Sequence, residues 1–530
     1  SLTLFALFSS KIWYSAKKIR SLSHRNTVHN QNDLKIYMES IVKTISNLVW
    51  SDFFIYLCLF TGLYFSFRTR FLQVGYIKEM LRLLFVKRDS DKGISSFQAF
   101  ALAISGRVGT GNIVGVATAI FMGGPGAVFW MWAIAFLGSA SAFVEATLGQ
   151  VYKQELDGEY RGGPAYYIEK GLGVKWYAVL FAIVTIISTG FLLPGVQSNA
   201  VNGTVTNAFG IEPTTLSFLN IDLSVSWIGV GIVVLLGIII IGGVKRLGKA
   251  AEYIVPFMAG AYILMALVII ALNVTEIPAV FKLIVSSAFS MDATFGGIVG
   301  MAIAWGVKRG IYSNEAGQGT APHAAAAAEV KHPAQQGLVQ AFSVYVDTLF
   351  VCTATAFMIL FTGMFNTGET FDAAGNALTF VEQHVPGLEA GGFTQAAIAH
   401  HFPAIGNQFV AVALFFFAFT TIMAYYYYAE TNIAYIFKKG NTRAVIWILR
   451  VGFLAATYFG TVRTAGLAWD LGDIGVGLMA WVNLIAILML SKPVLKVWKD
   501  YKTKRKAGIK DPDFNPKELG IKNADFWEKE

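Results

Sequence analysis

Three observations predict an all-α polytopic membrane protein: a composition too apolar for a soluble domain, a succession of long apolar runs, and two spans interrupted by polar, glycine-rich sequence. Of 530 residues, 55% are hydrophobic and only 14% charged, with mean hydropathy +0.54. A soluble domain is about a quarter charged. The runs make about 11 transmembrane helices, since each crossing needs about 20 apolar residues. The 52 glycines suit close helix packing and broken helices. Cys58 and Cys352 sit singly in apolar runs and imply neither a disulfide framework nor a metal site.

Residues 1–37 are polar and basic after a short apolar start, and read as a processed or extraneous extension ahead of a chain beginning near Met38. Residues 38–95 hold one extra helix, at 50–67, and a basic loop with Arg68, Arg70, Lys78, Arg82, Lys87 and Arg88. Further spans are expected at 97–122, 128–152, 176–201, 227–243, 253–272, 295–327, 338–364, 408–437, 443–461 and 474–490. Between them the loops alternate in charge. Lys153, Arg161, Lys170 and Lys175, then Lys245, Arg246 and Lys249, then Lys331, then Lys438, Lys439 and Arg443 mark one side, whereas 211–225 and 364–403 carry no Lys or Arg. The positive-inside rule puts the basic loops and the basic tail 493–530 in the cytoplasm of a plasma-membrane protein, with the N-terminus outside. The lysines and arginines of 1–37 oppose that orientation. Net charge +9 is then a topology signal, not a nucleic-acid footprint.

Residues 305–328 read WGVKRGIYSNEAGQGTAPHAAAAA, and place Lys308, Arg309, Glu315, four glycines and Pro322 inside a span. Residues 96–124, SFQAFALAISGRVGTGNIVGVATAIFMGG, crowd Gly106, Gly109 and Gly111 around Arg107 and Asn112. Non-helical backbone at membrane depth survives only where protein buries it or where it lines a water-filled cavity, and discontinuous helices mark transporter binding sites. Five spans separate the starts of these two helices, which run in opposite directions. That spacing makes 96–275 and 290–492 a five-plus-five inverted repeat, each half opening with a broken helix.

The blocks GTGNIVGVATAI and SNEAGQGTAPHAAAA, on this plan of spans and loops, resemble the alanine or glycine:cation symporters, the sodium:alanine symporter family, over about residues 38–500. The resemblance implies a fold like that of the bacterial leucine transporter, with one helix added in front. It also implies Na+ as the coupling ion, no organic cofactor, and sodium-coupled symport of alanine or glycine by alternating access. The extension 1–37 lies outside the resemblance.

A zwitterion at mid-membrane needs a partner for each end. A half-helix opening near Asn112 exposes unpaired N–H groups and the positive end of a dipole, which makes Thr110, Gly111 and Asn112 a candidate carboxylate cradle. Close helix packing is the other reading of these glycines. In the second broken helix, unwound backbone after Gly306 would offer carbonyls to the ammonium group, and Trp305 either walls a small side-chain pocket or simply packs. Ser313 and Asn314 are expected N-cap residues for its second half, with Glu315 in the first turn. In a fold of the implied type the helix carrying Gln197 faces the substrate, so Gln197 is either a hydrogen-bond partner or an interhelical amide. By the same analogy, sodium would take hydroxyls from Thr420 and Thr421 and carbonyls near Ser105 and Val108. Threonines bonding their own helix are the alternative.

Arg107, Glu145, Lys308, Arg309, Asp347, Glu430 and Asp473 are costly in lipid and are expected to pair or face water. Arg107 or Arg309 is expected to pair with Glu145, Glu315 or Asp347. Glu430, after Tyr425 to Tyr428, reads as an interfacial residue beside an aromatic belt. The same carboxylates Glu145, Glu315 and Asp347 also admit a proton-coupled amino-acid symporter of this fold. Partners are therefore a small amino acid, a cation and membrane lipid, with no nucleic acid and no oligomeric state specified. An enzyme is disfavoured: HExxH, GxSxG and the P-loop pattern are absent, and no span holds paired histidines. A selectivity-filter motif is absent too.

Overall fold

A computed structural model describes residues 31–86, 93–156, 158–218, 221–289, 296–371, 377–438 and 442–528. Most of the expected extension, residues 1–30, and the loop residues Lys87, Arg88 and Lys439 lie outside the described residues. Among the described residues, eight helices are long and apolar enough to cross a membrane, and a ninth span is a pair of helices bent by 52°.

Helix α1 (Gln31–Val49) leads into α2 (Asp52–Thr69), so the first span starts at Glu39, earlier than its apolar core suggests. After the short α3 (Ile77–Leu84), the bent pair is α4 (Ser96–Arg107) and α5 (Gly111–Gly123). There follow α6 (Gly126–Val151), α7 (Lys175–Phe209), α8 (Trp227–Ile240), α9 (Gly243–Leu272) and α10 (Ile277–Phe289). A second interrupted pair, α11 (Gly296–Asn314) and α12 (Ala321–Ala326), precedes α13 (Pro333–Thr362), α14 (Phe393–His401), α15 (Gly406–Ile436), α16 (Thr442–Thr461), α17 (Ala465–Met489) and α18 (Ser491–Lys506). A helix stands at each span expected from the sequence. Antiparallel hairpins were not anticipated. They are β1–β2 (Gln154–Leu156, Glu159–Arg161), β3–β4 (Thr214–Phe218, Ile221–Val225) and β5–β6 (Asn366–Phe371, Ala377–Gln383), all in connecting segments.

Local chemistry explains the helix ends that matter for the site. Helix α4 opens with a capping box, in which Ser95 Oγ accepts from the Gln98 N–H while Gln98 Oε1 accepts from the Ser95 N–H, both at 3.1 Å. Helix α12 is a run of alanines with Pro322 in its first turn, where a missing N–H costs nothing. Carbonyls at its end and just beyond it accept from α6: Gln150 Nε2 donates to Ala325 O at 2.5 Å and to Ala328 O at 2.9 Å. Helix α6 is the hub against which α2, α11, α12 and α13 pack. Glycine permits that closeness: a Cβ on Gly149 would lie 2.9 Å from Pro322 O, and one on Gly337 2.2 Å from Thr147 Oγ1.

The basic tail folds back instead of trailing free. Trp527 Nε1 donates to Gln150 O at 2.9 Å, and the Lys153 ammonium stands 4.3 Å and 5.1 Å from the ring centres of Phe526 and Trp527. Further along, Gln335 Nε2 donates to Asp511 Oδ1 at 2.5 Å, and His332 Nε2 lies 3.2 Å from Asp500 Oδ2. Glu79 of α3 is the anchor: it accepts from Arg82 at 2.8 and 2.9 Å, Arg505 at 2.8 Å and Tyr501 at 2.6 Å. Burial opposes its charge, but the hydrogen bonds from Arg82 and Tyr501 and the nearby guanidinium charges outweigh it and hold the carboxyl below its usual 4.5. A depressed carboxyl stabilises the fold above pH 4.5, and that contribution fades as pH falls through the lower native value. Glu79→Gln is therefore expected to cost about 1–3 kcal/mol at neutral pH. The thermal midpoint by tryptophan fluorescence should fall, with the gap from wild type closing in acid; an unchanged midpoint at pH 7 would remove Glu79 as the anchor.

Candidate substrate and ion site

Both helix breaks lie at the centre of the molecule and face each other. At the first, α4 stops at Arg107 and α5 begins at Gly111. Asn112 folds back over the gap: its Oδ1 accepts from the Gly109 N–H at 2.8 Å and its Nδ2 donates to Asp347 Oδ1 at 2.6 Å. The Thr110 N–H donates to Gln197 Oε1 at 3.0 Å. Three predicted residues, Thr110, Asn112 and Gln197, thus meet in one place, but one cradle amide, that of Thr110, and the neighbouring amide of Gly109 are already bonded within the protein. Glycine lets the neighbours come close, since a Cβ on Gly109 would lie 2.5 Å from Thr421 Oγ1 and 2.9 Å from Gln197 Oε1.

The second break falls later than the sequence reading put it. Helix α11 runs unbroken through Trp305 and Gly306 to Asn314, and the unwound stretch is 315–320. Gly306 is a packing position, where a Cβ would lie 2.5 Å from both Ala127 O and Trp130 Cβ. Ser313 and Asn314 consequently end the first half and do not cap the second, whose N-cap position is Thr320. Left-handed backbone turns the chain: φ is 56° at Glu315, 90° at Gly317 and 82° at Gly319. Glu145 of α6 accepts from the N–H groups of Gly317 at 3.0 Å and Gly319 at 2.9 Å and also binds Asn483 Nδ2.

Asp347, in a π-helical stretch of α13 (Tyr345–Cys352), joins the two breaks. Its carboxylate accepts from Asn112, from Ser313 Oγ at 3.0 and 3.1 Å, and from Thr348 Oγ1 at 2.7 Å. Among the described residues no Lys or Arg forms an ion pair with it. Asn314 reaches the same helix through Thr348, and its Oδ1 accepts from the Ala316 N–H at 3.0 Å.

The threonine pair divides. Thr421 Oγ1 stands 2.8 Å from Ser105 O, 3.2 Å from Val108 O and 2.9 Å from Phe417 O. Thr420 turns the other way, with its hydroxyl on Phe416 O and Phe417 O at 3.0 and 3.1 Å, as the alternative reading had it. Sequence reasoning also missed Tyr425 and Tyr428, which are buried in the core and do not form an interfacial belt. A Cβ on Gly106 would lie 2.5 Å from Tyr428 Oη and 3.1 Å from Glu315 Oε2, so both groups face the first break. The signal was present: Thr421, Tyr425 and Tyr428 recur at i, i+4 and i+7, one helix face. Tyr312 joins them from α11, its ring edge 3.2 Å from where a Gly111 Cβ would stand. Among the described residues, Thr110 Oγ1, Tyr312 Oη, Tyr428 Oη and Glu315 Oε1 are buried without a well-formed hydrogen bond.

The remaining charges pair differently from expectation. Arg107 gives Nη1 to Gln340 O at 3.1 Å and to Ser343 Oγ, not to Glu145, Glu315 or Asp347. Arg309 Nη2 and Lys308 Nζ both reach Asp473 Oδ2 at 2.7 Å. Trp305 belongs to that cluster, under Lys308 at 4.8 Å and Arg309 at 5.2 Å, and away from the first break. Near the other end of the helices Glu430, buried, pairs with Arg161 at 3.0 Å. His323 is engaged on both ring nitrogens, with Thr320 O and Asn432 Nδ2, each at 2.8 Å.

The arrangement holds polar groups and loose carbonyls at the centre of an apolar bundle, suited to holding a small zwitterion and a cation. Residues 35–516 match the model of the sodium:alanine symporter family. YrbD of Bacillus subtilis (strain 168) is 60% identical over 93% of this chain and 98% of its own length. The sodium/proton-dependent alanine carrier protein of Bacillus sp. (strain PS3) is 49% identical over 85% of this chain and 97% of its own. Among solved structures, MhsT in complex with L-phenylalanine superposes with TM-score 0.52 at 14% identity, covering 83% of this chain and 97% of MhsT, which makes the fold leucine-transporter-like. The chain belongs to the sodium:alanine symporter family, and is a multi-pass, cation-coupled amino-acid symporter and not an enzyme.

Proposed function

We propose that the protein couples the inward movement of Na+ to symport of a small neutral amino acid, alanine or glycine, by alternating access. The observation that carries the sodium reading is the surroundings of Thr421. One hydroxyl has one proton to give, yet Thr421 Oγ1 lies within 3.2 Å of three carbonyl oxygens. The surplus of oxygen lone pairs at a helix break matches what a hard cation binds without a full counter-charge. Ser105, Val108 and Thr421 are the proposed sodium ligands, and Thr420 is withdrawn from the set.

The substrate carboxylate is proposed to meet Thr110, Gly111 and the start of α5, taking the place that Gln197 Oε1 holds on the Thr110 N–H. Ser313 and the backbone ending α11 would take the ammonium group. Tyr312, Tyr425 and Tyr428 crowd the space between, which supports a side chain no larger than a methyl group. The alanine-carrier name of the Bacillus sp. (strain PS3) relative supports the same choice. With one positive co-ion, the membrane potential would add about 2.3 kcal/mol per 100 mV to the driving force.

Alanine uptake into vesicles should collapse when choline replaces sodium at fixed pH, and Thr421→Ala should raise the half-saturating sodium concentration roughly tenfold, a loss of about 1.4 kcal/mol in ion binding. Thr420→Ala should leave it within about twofold. Uptake that survives intact in choline would sink the sodium reading.

A second coupling mode rests on Asp347. It is a fully buried carboxylate with three side-chain donors around it and no ion-pair partner among the described residues. Burial without an ion pair penalises the charge of such a group, and a proton or a cation on it would relieve that cost. We infer that Asp347 takes the second cation, a proton when sodium is scarce. Asp347→Asn should abolish alanine uptake driven by an inward proton gradient without sodium; a variant that keeps that uptake would exclude the residue.

A further inference from the structure

The folded-back tail closes a cleft that the transport site does not use. Where α17 passes into α18, a cleft of ≈ 400 Å³ is lined by Tyr152, Lys170, Lys492, Lys496, Lys522 and Asn523, among others. Four lysines line the cleft, and among the described residues the one carboxylate paired with any of them is Asp525, 2.7 Å from Lys170. Lys496 donates to Leu519 O, a neutral acceptor, at 2.9 Å. Lys492 and Lys522 are exposed, and neither has a hydrogen-bond or ion-pair partner among the described residues. Opposite the lysines, Tyr152 is only 4% exposed. Its ring packs against Gly171, and its hydroxyl has no hydrogen-bond partner among the described residues.

A cluster of like charges costs energy unless an anion occupies it. The hydroxyl of Tyr152 adds a neutral donor, and Asn523 Nδ2, which gives one proton to Lys170 O at 2.9 Å, has a second to give, a set that suits a phosphate group. The cleft also sits at the edge of the apolar layer. Trp176, Leu180, Ile183 and Ile187 form an exposed stripe on α7 that starts beside it, and Ile485 and Met489 are exposed on α17 directly before it. Stripes of that kind are where acyl chains lie. We propose that this cleft binds the phosphate of an anionic phospholipid headgroup, whose acyl chains run along α7 and α17. Because Lys522 and Asn523 belong to the tail, the bound lipid would clip the tail to the transmembrane bundle.

The probe is phosphatidylglycerol against phosphatidylcholine, added to the full-length protein in detergent and read by native mass spectrometry. Wild type should retain one phosphatidylglycerol in preference to phosphatidylcholine and should show a raised thermal midpoint with it. Lys492→Gln combined with Lys522→Gln should weaken that retention roughly ten- to thirtyfold. Lys502→Gln, also on α18 but outside the cleft, should bind as wild type, and all variants should elute as a single species. Equal retention of the two lipids, or undiminished phosphatidylglycerol binding by the double variant, would overturn the proposal. Displacement of the lipid by excess inorganic phosphate would overturn it as well, by making the cleft a site for free phosphate.

Discussion

A helix interrupted inside a membrane must recover its lost backbone hydrogen bonds from somewhere, and at the second break that source is Glu145. Each unsatisfied amide in a water-free interior costs several kcal/mol. One carboxylate on the hub helix α6 takes two of them, from Gly317 and Gly319, and ties itself to α17 through Asn483. Only glycine holds φ near 90° cheaply, so the Gly-Gln-Gly sequence and the buried glutamate are two halves of one device. Glu145 is therefore accounted for structurally, which leaves two buried carboxylates at the breaks: Glu315, in the second break and facing Gly106 of the first, and Asp347, hydrogen-bonded to residues of both.

That division orders the centre of the molecule. Asn112 bridges the first break to Asp347, Ser313 bridges the end of α11 to the same carboxylate, and Thr421 bridges α15 to the end of α4. A cation taken up at Asp347 or among the oxygens around Thr421, as proposed, would thus act on both broken helices at once. A ligand shifts a conformational balance only by its differential affinity for the two states. These shared contacts are where substrate and ion would exert it.

Much of this was legible in the sequence because the constraints were chemical. Polar glycine-rich runs inside apolar spans located both breaks, and the pairing of Thr421 with Ser105 and Val108 followed from the implied fold. The errors have physical causes. Lys308, Arg309 and Gly306 look like helix breakers in a one-dimensional reading, but a guanidinium stacked on Trp469 at 4.7 Å and paired with Asp473 is tolerated inside a helix. The sequence therefore points to an earlier break than the fold has, and Trp305 packs against the charge cluster, one of the two readings open to it. Adjacent tyrosines read as a membrane belt along the sequence, whereas helical periodicity puts Tyr425 and Tyr428 on the face of Thr421. The folding back of the tail had no sequence signal, since aromatic–lysine contacts such as Phe526 on Lys153 join residues distant in the chain.

Charge clusters at the two ends of the bundle bear on how such a site opens. Lys308 and Arg309 share one oxygen of Asp473, while Asp473 Oδ1 and Arg309 Nε and Nη1 are buried without partners among the described residues. A buried pair that leaves donors and acceptors unused gains little over its hydrated form, because the desolvation cost offsets the Coulomb attraction. Arg161 and Glu430 at the other end share the pattern, with Glu430 Oε2 and Arg161 Nε and Nη1 equally unpaired. Water reaching either cluster would supply the missing hydrogen bonds, so each pair lies close in energy to its hydrated form. Under the proposed alternating access, a near balance at both ends would let substrate and cation decide which end opens with only a few kcal/mol of differential binding.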